Sequence, residues 1–552
     1  VVAVAVLILA AWVGTGLRLF EVQVVHAEEY AKRGVDQRLV TEVLAADRGT
    51  IFDRDGHELA VTIDAVTIYA NPRQIADPGA TAELLGPLVG VEPAQLSARL
   101  SADSSFAYVA RQMERRDAER IEAMEIPGLY FTEEPARVYP SGELAAHLLG
   151  FVRTHDNEGL EGVEFSYDEL LRGKPGELLV ERAASGGVII PLGDYEVVPP
   201  QRGRDLVLTI DREIQFEAEA ALARAVERWE AAGGSVVALD PRTGEILAMA
   251  NLPTFDPNDF ANADPEAFRN RAIVDVYEPG STHKLVTVAA ALDTGVVRPA
   301  DTFEIPAELE IDDKIYTDVS ETPQWLTVND IVTFSSNIGT ILIQQKLGNA
   351  ALFDYMKAFG LGEASGVGFP GEAAGKVYPI DEWCPNVCGA STAIGYRVSV
   401  TALQMASVFG VIANDGMWVQ PSIIKEFVDD NGEITVSSPA ERRVVSAHTA
   451  AEMRAMLAGV VERGTGTAAA IAGYRIAGKT GTTEKFIEAE GRYGDEVVAS
   501  FVGFAPVEDP RIVVAVTIDS PAEGEFGGTV AAPVAGEVTL SVLHQLGVPP
   551  GD

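Results

Sequence analysis

The chain has 552 residues, too many for one hydrophobic core, so it is expected to divide into two or more domains. Hydrophobic residues make up 47% and charged residues 22%, the balance of a globular protein and not of a disordered one. The formal net charge of -40 argues against nucleic acid, whose phosphates would be repelled, and against docking on anionic lipid through a basic face.

The first residue is valine, so the true start is expected upstream. Residues 1–17 carry no charge, and Arg18 is the first ionisable group. That run is at the short end for a membrane-spanning helix. A cleaved signal peptide would have a shorter apolar core ending at a small-residue site, and no clean site of that kind precedes Glu21. Residues 1–20 therefore read as a single anchor in the cell membrane, with the remaining chain outside the cytoplasm.

Residues 21–202 are mixed in pattern. Residues 41–72, TEVLAADRGTIFDRDGHELAVTIDAVTIYANP, alternate like strands around an Asp55-Gly56 turn. Helical patterns follow near 82–100 and 114–124, then strands around 178–198. Arg48, Asp53 and Arg54 read as buried ion pairs holding the hairpin in preference to a functional patch. Pro199 and Pro200, followed by Gln201, Arg202 and Gly203, read as a boundary linker. Nothing in this segment has active-site chemistry; it reads as a spacer and docking module.

From residue 203 to 548 the pattern sharpens. DLVLTID (205–211) reads as a strand, and Ile214, Ala218, Ala221, Leu222, Ala225 and Trp229 mark one face of a following helix. SVVALD (235–240) and EILAMA (245–250) flank a Pro241-Arg242-Thr243-Gly244 turn. Three more strand patterns come late: 474–482, 497–505 and 511–519. A closing helix carries Val534, Val538, Val542 and Leu546. Strands from both ends with helices between them predict an α+β domain: one antiparallel sheet, covered by the two terminal helices and an inserted helical block.

Between these ends lie three candidate motifs. In EPGSTHKLVTVAAAL (278–292) a Pro279-Gly280 turn precedes a helical apolar run. Ser281 falls at the first helical turn, where free N–H groups favour a developing negative charge. Lys284, three residues on, shares its face. An amine beside a hydroxyl in a partly dry cleft can lose enough basicity to act as the base for that nucleophile. A Ser and a Lys at this spacing arise by chance about twice in a chain of this length. The second copy is Ser422 and Lys425 in QPSIIKEFV, which follows a proline and alternates like a strand.

The second motif, Ser335-Ser336-Asn337, follows the helical pattern LTVNDIVTF. A hydroxyl and an amide two apart can relay a proton and orient a lysine or a substrate amide; the plainer reading is that Ser335 and Asn337 cap a helix from Ile338. The third is Lys479-Thr480-Gly481-Thr482 at the end of a strand. Gly481 would let a substrate backbone approach, and the strand edge can pair with an extended peptide. Lys479 offers a charge to a carboxylate, and the Thr482 N–H can join that of Ser281 in an oxyanion hole. The plainer reading here is an edge strand guarded by a charge. Cys384 and Cys388 are the only cysteines. They are too few for a disulfide scaffold and lack partners for a zinc site, which leaves a local disulfide or two idle thiols.

The order Ser-x-x-Lys, Ser-x-Asn, Lys-Thr-Gly is the signature of penicillin-binding proteins and class A β-lactamases. Only Ser281 and Lys284 precede the other two motifs, so Ser422 and Lys425 are set aside. The chain resembles the class B penicillin-binding proteins, monofunctional peptidoglycan D,D-transpeptidases. The likeness extends to RGTIFDRDGHELA (48–60), RVYPSGELAAHLLGFV (137–152), GLEGVEFSYDELLRGKPG (159–176), VVALDPRTGEILAMANLPTFDPN (236–258), NRAIVDVYEPGSTHK (270–284) and GYRVSVTALQMASVFGVIANDG (395–416). The form of SFVGFAP (500–506) and the lack of a C-terminal accessory domain lean towards the septal type over the elongation type.

The resemblance implies a penicillin-binding, serine β-lactamase-like fold at 203–548 behind a pedestal or dimerisation module at 21–202. It implies Ser281 as acylated nucleophile, Lys284 as base, and Ser335 and Asn337 as proton shuttle and positioning pair. Lys479 with Thr480, Gly481 and Thr482 would hold the terminal carboxylate of a D-Ala-D-Ala stem peptide. β-Lactams would acylate the same serine. No cofactor or metal is implied; the implied partners are a glycosyltransferase and membrane proteins of the division machinery. Two positions depart from the family: His283 replaces a common aromatic residue and, two past the serine, should face away from the cleft and pack. Thr483 stands where a smaller residue is usual and is expected to narrow the cleft entrance.

Rival readings are a D,D-carboxypeptidase, a serine β-lactamase and a membrane-tethered sensor or dead scaffold. A β-lactamase needs a second base, which Glu382 and Asn386 evoke only faintly, and has no use for the anchor and module. A sensor would need further membrane spans, and a dead site would lack a reacting group.

Overall fold

The computed structural model describes residues 2–36, 39–154, 156–181, 195–318, 324–428, 434–436, 438–487, 491–523 and 526–551. A helix Val2–Phe20 opens the chain and continues through a wider turn to Val25. The run Val2–Val25, of mean hydropathy 2.0 and with none of it buried, is long and apolar enough to cross a membrane.

The rest gathers into two compact units that do not follow the linear division at 202/203. One comprises Val1–Gly49, Asp64–Ala136 and Arg172–Gly203; the other comprises Thr50–Ile63, Arg137–Leu171 and Arg204–Asp552. In the first unit, strands Leu39–Leu44, Gly176–Glu181 and Tyr195–Val198 form an antiparallel sheet. Residues 182–194 of the expected strands lie outside the described residues. Helices Pro78–Val89, Pro93–Leu100 and Arg115–Glu122 bury Leu85, Leu96, Leu100 and Ile121 against Ile68 and Val109. The expected linker is tied down: Gln201 and Lys174 exchange both backbone bonds, and the Gly203 N–H donates to Asp47.

The second unit is built on a five-stranded antiparallel sheet: β1 (Gly233–Leu239), β2 (Ile246–Leu252), β3 (Ala477–Ile487), β4 (Arg492–Ala505) and β5 (Ile512–Asp519), in the order β2-β1-β5-β4-β3. Side chains alternate along the strands, so β1, β2, β4 and β5 each feed two cores. Val236, Ala238, Val514, Val516 and Ile518 face α1 (Arg212–Arg228) and the closing helix Ala532–Gln545. Val237, Leu239, Val513 and Ala515 face an inserted helical block. This is the expected antiparallel sheet between two terminal helices and a helical layer. The apolar faces expected for both terminal helices are buried up to their last members, Trp229 and Leu546, which cap the helix ends half-buried.

One expected strand goes elsewhere. Asp205–Leu208 pairs in parallel with Ile51–Phe52 and antiparallel with Ile424–Val428, in a different sheet from β1–β5. Buried Asp53 accepts the N–H groups of Asp55 and His57 at 2.9 and 2.8 Å, and Arg54 pairs with Glu245 at 3.3 Å. Arg48 is buried. Ser422 and Lys425 lie at this strand, where the Lys425 amine donates to the Arg54 carbonyl at 2.9 Å. They are structural.

Candidate active site

Pro279 leads into a 3-10 turn, Gly280–His283, from which α2 (Lys284–Asp293) continues. An α-helix was expected to begin at the serine; the tighter 3-10 turn eclipses residues three apart, setting Ser281 and Lys284 on one face. α2 is buried on every side, so Lys284 is only 2% exposed. The half-buried Ser281 hydroxyl has no hydrogen-bond partner among the described residues. His283 is fully buried with both ring nitrogens unpartnered among the described residues, and burial pulls its pKa down to about 4, so it packs as a neutral ring.

The second motif divides its work between neighbours. α3 (Val328–Thr333) ends just before Ser335, which takes a left-handed backbone with φ 62°. A non-glycine residue rarely adopts that conformation, and active sites are where it recurs. α4 (Asn337–Leu347) is capped by Ser336, which accepts the Gly339 N–H at 2.8 Å. Asp318 accepts from the Ser336 hydroxyl and from the Asn337 and Ile338 N–H groups. The capping expected of Ser335 and Asn337 is thus done by Ser336 and Asp318, and both motif side chains reach Lys284, with the Asn337 amide also donating to the Thr317 carbonyl at 3.1 Å. The Lys284 amine lies 2.6 Å from the Ser335 carbonyl, 3.3 Å from the Ser335 hydroxyl and 2.7 Å from the Asn337 Oδ1.

The third motif arrives on β3, the edge strand, whose outer row of backbone groups has no strand partner among the described residues. The Lys479 amine is 2.9 Å from the Ser335 hydroxyl, so one hydroxyl joins two amines from distant parts of the chain. Thr480 and Thr482 alternate to the other face, bonding Thr465 at 2.8 Å and the Gly527 N–H at 3.0 Å. A Cβ on Gly481 would lie 2.5 Å from the Ser500 Oγ and 2.9 Å from the Pro279 carbonyl. Glycine is therefore needed for the strand to reach the serine's own turn, and the expected approach of a substrate backbone is not what fills that space. Thr483 does not narrow the entrance either: it is buried, and its hydroxyl donates to the Glu278 carbonyl at 2.6 Å, bracing the same turn.

Burial lowers the Lys284 pKa to about 7, against an opposing pull from Asp318. Burial, then repulsion from Lys284, holds Lys479 well below the usual lysine range. An arriving carboxylate would raise it again. The site can hold a neutral amine near a free hydroxyl, relay a proton through Ser335 and receive an anion beside Lys479.

Sequence reasoning missed Asp318 and Ser336. Cys384 and Cys388 are joined in a disulfide at the start of α5 (Val387–Ala393). Asn386 beside it donates to Asp312 at 3.0 Å, and Tyr316 meets Ser391 at 2.8 Å, tying α5 to the hairpin that leads into Asp318. Glu382 is exposed, and neither it nor Asn386 hydrogen-bonds Ser281 or Lys284 among the described residues. Among those residues no cluster of three or more His, Cys, Asp or Glu side chains could hold a metal.

Residues 234–540 match the family model for the penicillin-binding protein transpeptidase domain, and residues 43–208 match that for the penicillin-binding protein dimerisation domain. The chain is 36% identical over 542 residues to the peptidoglycan D,D-transpeptidase FtsI of Escherichia coli K12, covering 97% of this chain and 89% of that one. It is 35% identical to stage V sporulation protein D of Bacillus subtilis, covering 97% and 83%. Penicillin binding protein 3 of Mycobacterium tuberculosis, solved with aztreonam, superposes with a TM-score of 0.73 at 31% identity, covering 93% of this chain and 98% of that one.

Proposed function

The chain belongs to the class B penicillin-binding proteins and is a peptidoglycan D,D-transpeptidase; from that premise we propose that Ser281 is its acylated nucleophile and Lys284 the base that activates it. The observation that carries this reading is the convergence of three distant segments on one hydroxyl, with Lys284, Asn337 and Lys479 gathered round Ser335.

In the first half-reaction the neutral Lys284 amine takes the Ser281 proton as the oxygen attacks the carbonyl of the penultimate D-alanine. The Ser281 and Thr482 N–H groups receive the oxyanion, and Lys479 with Thr480, Gly481 and Thr482 receives the terminal carboxylate. The C–N bond breaks, and the departing D-alanine takes its proton through the Ser335 hydroxyl, which touches both amines. In the second half an amine from a neighbouring stem attacks the ester, gives up a proton to Lys284 and leaves Ser281 restored, with the stems cross-linked.

The run Val2–Val25 supports a single-pass membrane anchor with the catalytic unit outside the cytoplasm. The form of residues 500–506 supports a septal role, with a partner glycosyltransferase and division proteins in the membrane. Mass spectrometry after fluorescent penicillin treatment tests the site: Ser281→Ala should abolish covalent labelling and Ser422→Ala should keep it. Labelling that survives the loss of Ser281 overturns the assignment. A tagged copy found along the side wall and not at mid-cell would assign the elongation role instead, and release of D-alanine without cross-links would assign a carboxypeptidase.

A further inference from the structure

The helix α5 is one that its own sequence supports poorly. Its run VCGASTA holds a glycine, a serine and two β-branched residues, and a helix of seven residues does not persist in water unaided. Asn386, at the cap position, gives no side-chain bond to the helix, because its amide is turned to Asp312. The acceptor at this end is the disulfide. The Cys384 Sγ receives the Cys388 N–H at 2.9 Å, and the Cys388 Sγ receives the Cys384 N–H at 2.9 Å. The cross-link therefore closes the first turn and stands in for the missing cap.

The other end of α5 reaches the two residues assigned to the first proton transfer. The Ala393 carbonyl accepts the Thr287 hydroxyl at 2.9 Å, and Thr287 lies on α2 one turn after Lys284. Just past α5, the Gly395 carbonyl lies opposite the serine's turn and accepts the Gly280 N–H at 3.1 Å. Gly395 has φ 87°, and a Cβ there would sit 2.5 Å from the Gly280 nitrogen, so the contact has no slack. The start of the segment is braced against α4: the Pro385 carbonyl accepts the Asn349 amide at 3.2 Å, and Asn349 accepts from Gln344 at 2.7 Å. The Ser281 hydroxyl has no hydrogen bond of its own among the described residues, so its place is set by the backbone that carries it. We infer that the Cys384–Cys388 disulfide positions Ser281 and Lys284 for acylation, acting through α5. Neither sulfur touches the reacting atoms; opening the bond frees the first turn of α5, and the freed helix passes its motion to Gly280 and Thr287. A misplacement of about 1 Å can cost about 10²-fold in rate. The inference rests on the reading of Ser281 as the nucleophile.

Cys384 is exposed and Cys388 is buried, so one sulfur is open to a water-soluble trialkylphosphine. That reagent opens the S–S bond to two thiols and leaves as its oxide, with water supplying the oxygen and both protons. The full chain is reduced, freed of reagent by gel filtration without air, and checked by mass spectrometry for the gain of two hydrogens. Acylation by penicillin is then followed by stopped flow. The reduced protein should acylate about tenfold or more slowly, with the loss in the acylation rate constant and not in the Kd of the preceding complex. Reoxidation in air should restore the rate, and Cys384→Ser should reproduce the reduced one. A cross-link that merely stabilises the fold would lower the unfolding temperature and leave the acylation constant of the folded protein unchanged. That result overturns the inference, as does a loss confined to Kd. Thr287→Val keeps the disulfide and removes the contact with Ala393, so it decides the matter even if the reduced chain unfolds. It should slow acylation by itself, and in a folded reduced protein the two losses should be less than additive. Full-rate acylation by Thr287→Val overturns the inference. Failure of penicillin to label Ser281 would remove the underlying reading; labelling at a rate indifferent to the disulfide removes only this inference.

Discussion

Lys284 is where burial becomes chemistry. Its pKa of about 7 leaves a large share of the side chains neutral at physiological pH, so acylation by penicillin should rise with pH through about 7. Asp318 opposes that shift, so Asp318→Asn should move the rising limb to lower pH, as stopped-flow acylation rates would show. The same group sets a stability slope. The unfolded chain holds the Lys284 proton up to about pH 10.5 and the folded one releases it near 7, so this group's contribution to stability rises with pH across that window and is least below it. Ser281, Lys284 and Lys479 were legible from spacing and order, because the roles proposed for them call for those residue types in that arrangement. Asp318 was not, since it acts through backbone N–H groups on the far side of a hairpin and no fixed spacing betrays it.

At the scale of elements, the decisive contact is β3 against the 3-10 turn. Gly481→Ala should push the strand from the turn, slowing penicillin acylation by about 10²-fold or more if the Thr482 N–H is displaced. Overpacking at this position should also cost about 1–3 kcal/mol, measurable by denaturant titration. The alternation of β1 and β5 and the apolar faces of the terminal helices were readable because burial on defined faces leaves a period in the sequence. The strand Asp205–Leu208 was misassigned to the central sheet for the converse reason: its apolar pattern says that it is buried, not which neighbour buries it. The 3-10 turn was unreadable as such, since a single turn has too few residues to distinguish a period of 3.0 from one of 3.6.

At the scale of the whole molecule, the catalytic unit is discontinuous, drawing on Thr50–Ile63 and Arg137–Leu171 as well as on Arg204–Asp552. Composition shifts suggested a cut near 203, but a chain beginning there would lack the strand that covers Leu206 and the buried Tyr139, Leu148 and Phe151. Residues 203–552 expressed alone should therefore aggregate and fail to bind fluorescent penicillin, whereas the full chain binds it; gel filtration with in-gel fluorescence would check both. This interleaving also governs how the protein is made. The ribosome delivers Thr50 long before Asp205, its hydrogen-bond partner 155 residues later, so Ile51, Leu59 and Ala60 must wait uncovered while the intervening module is completed. The earliest piece of the catalytic unit to be synthesised is among the last to find shelter.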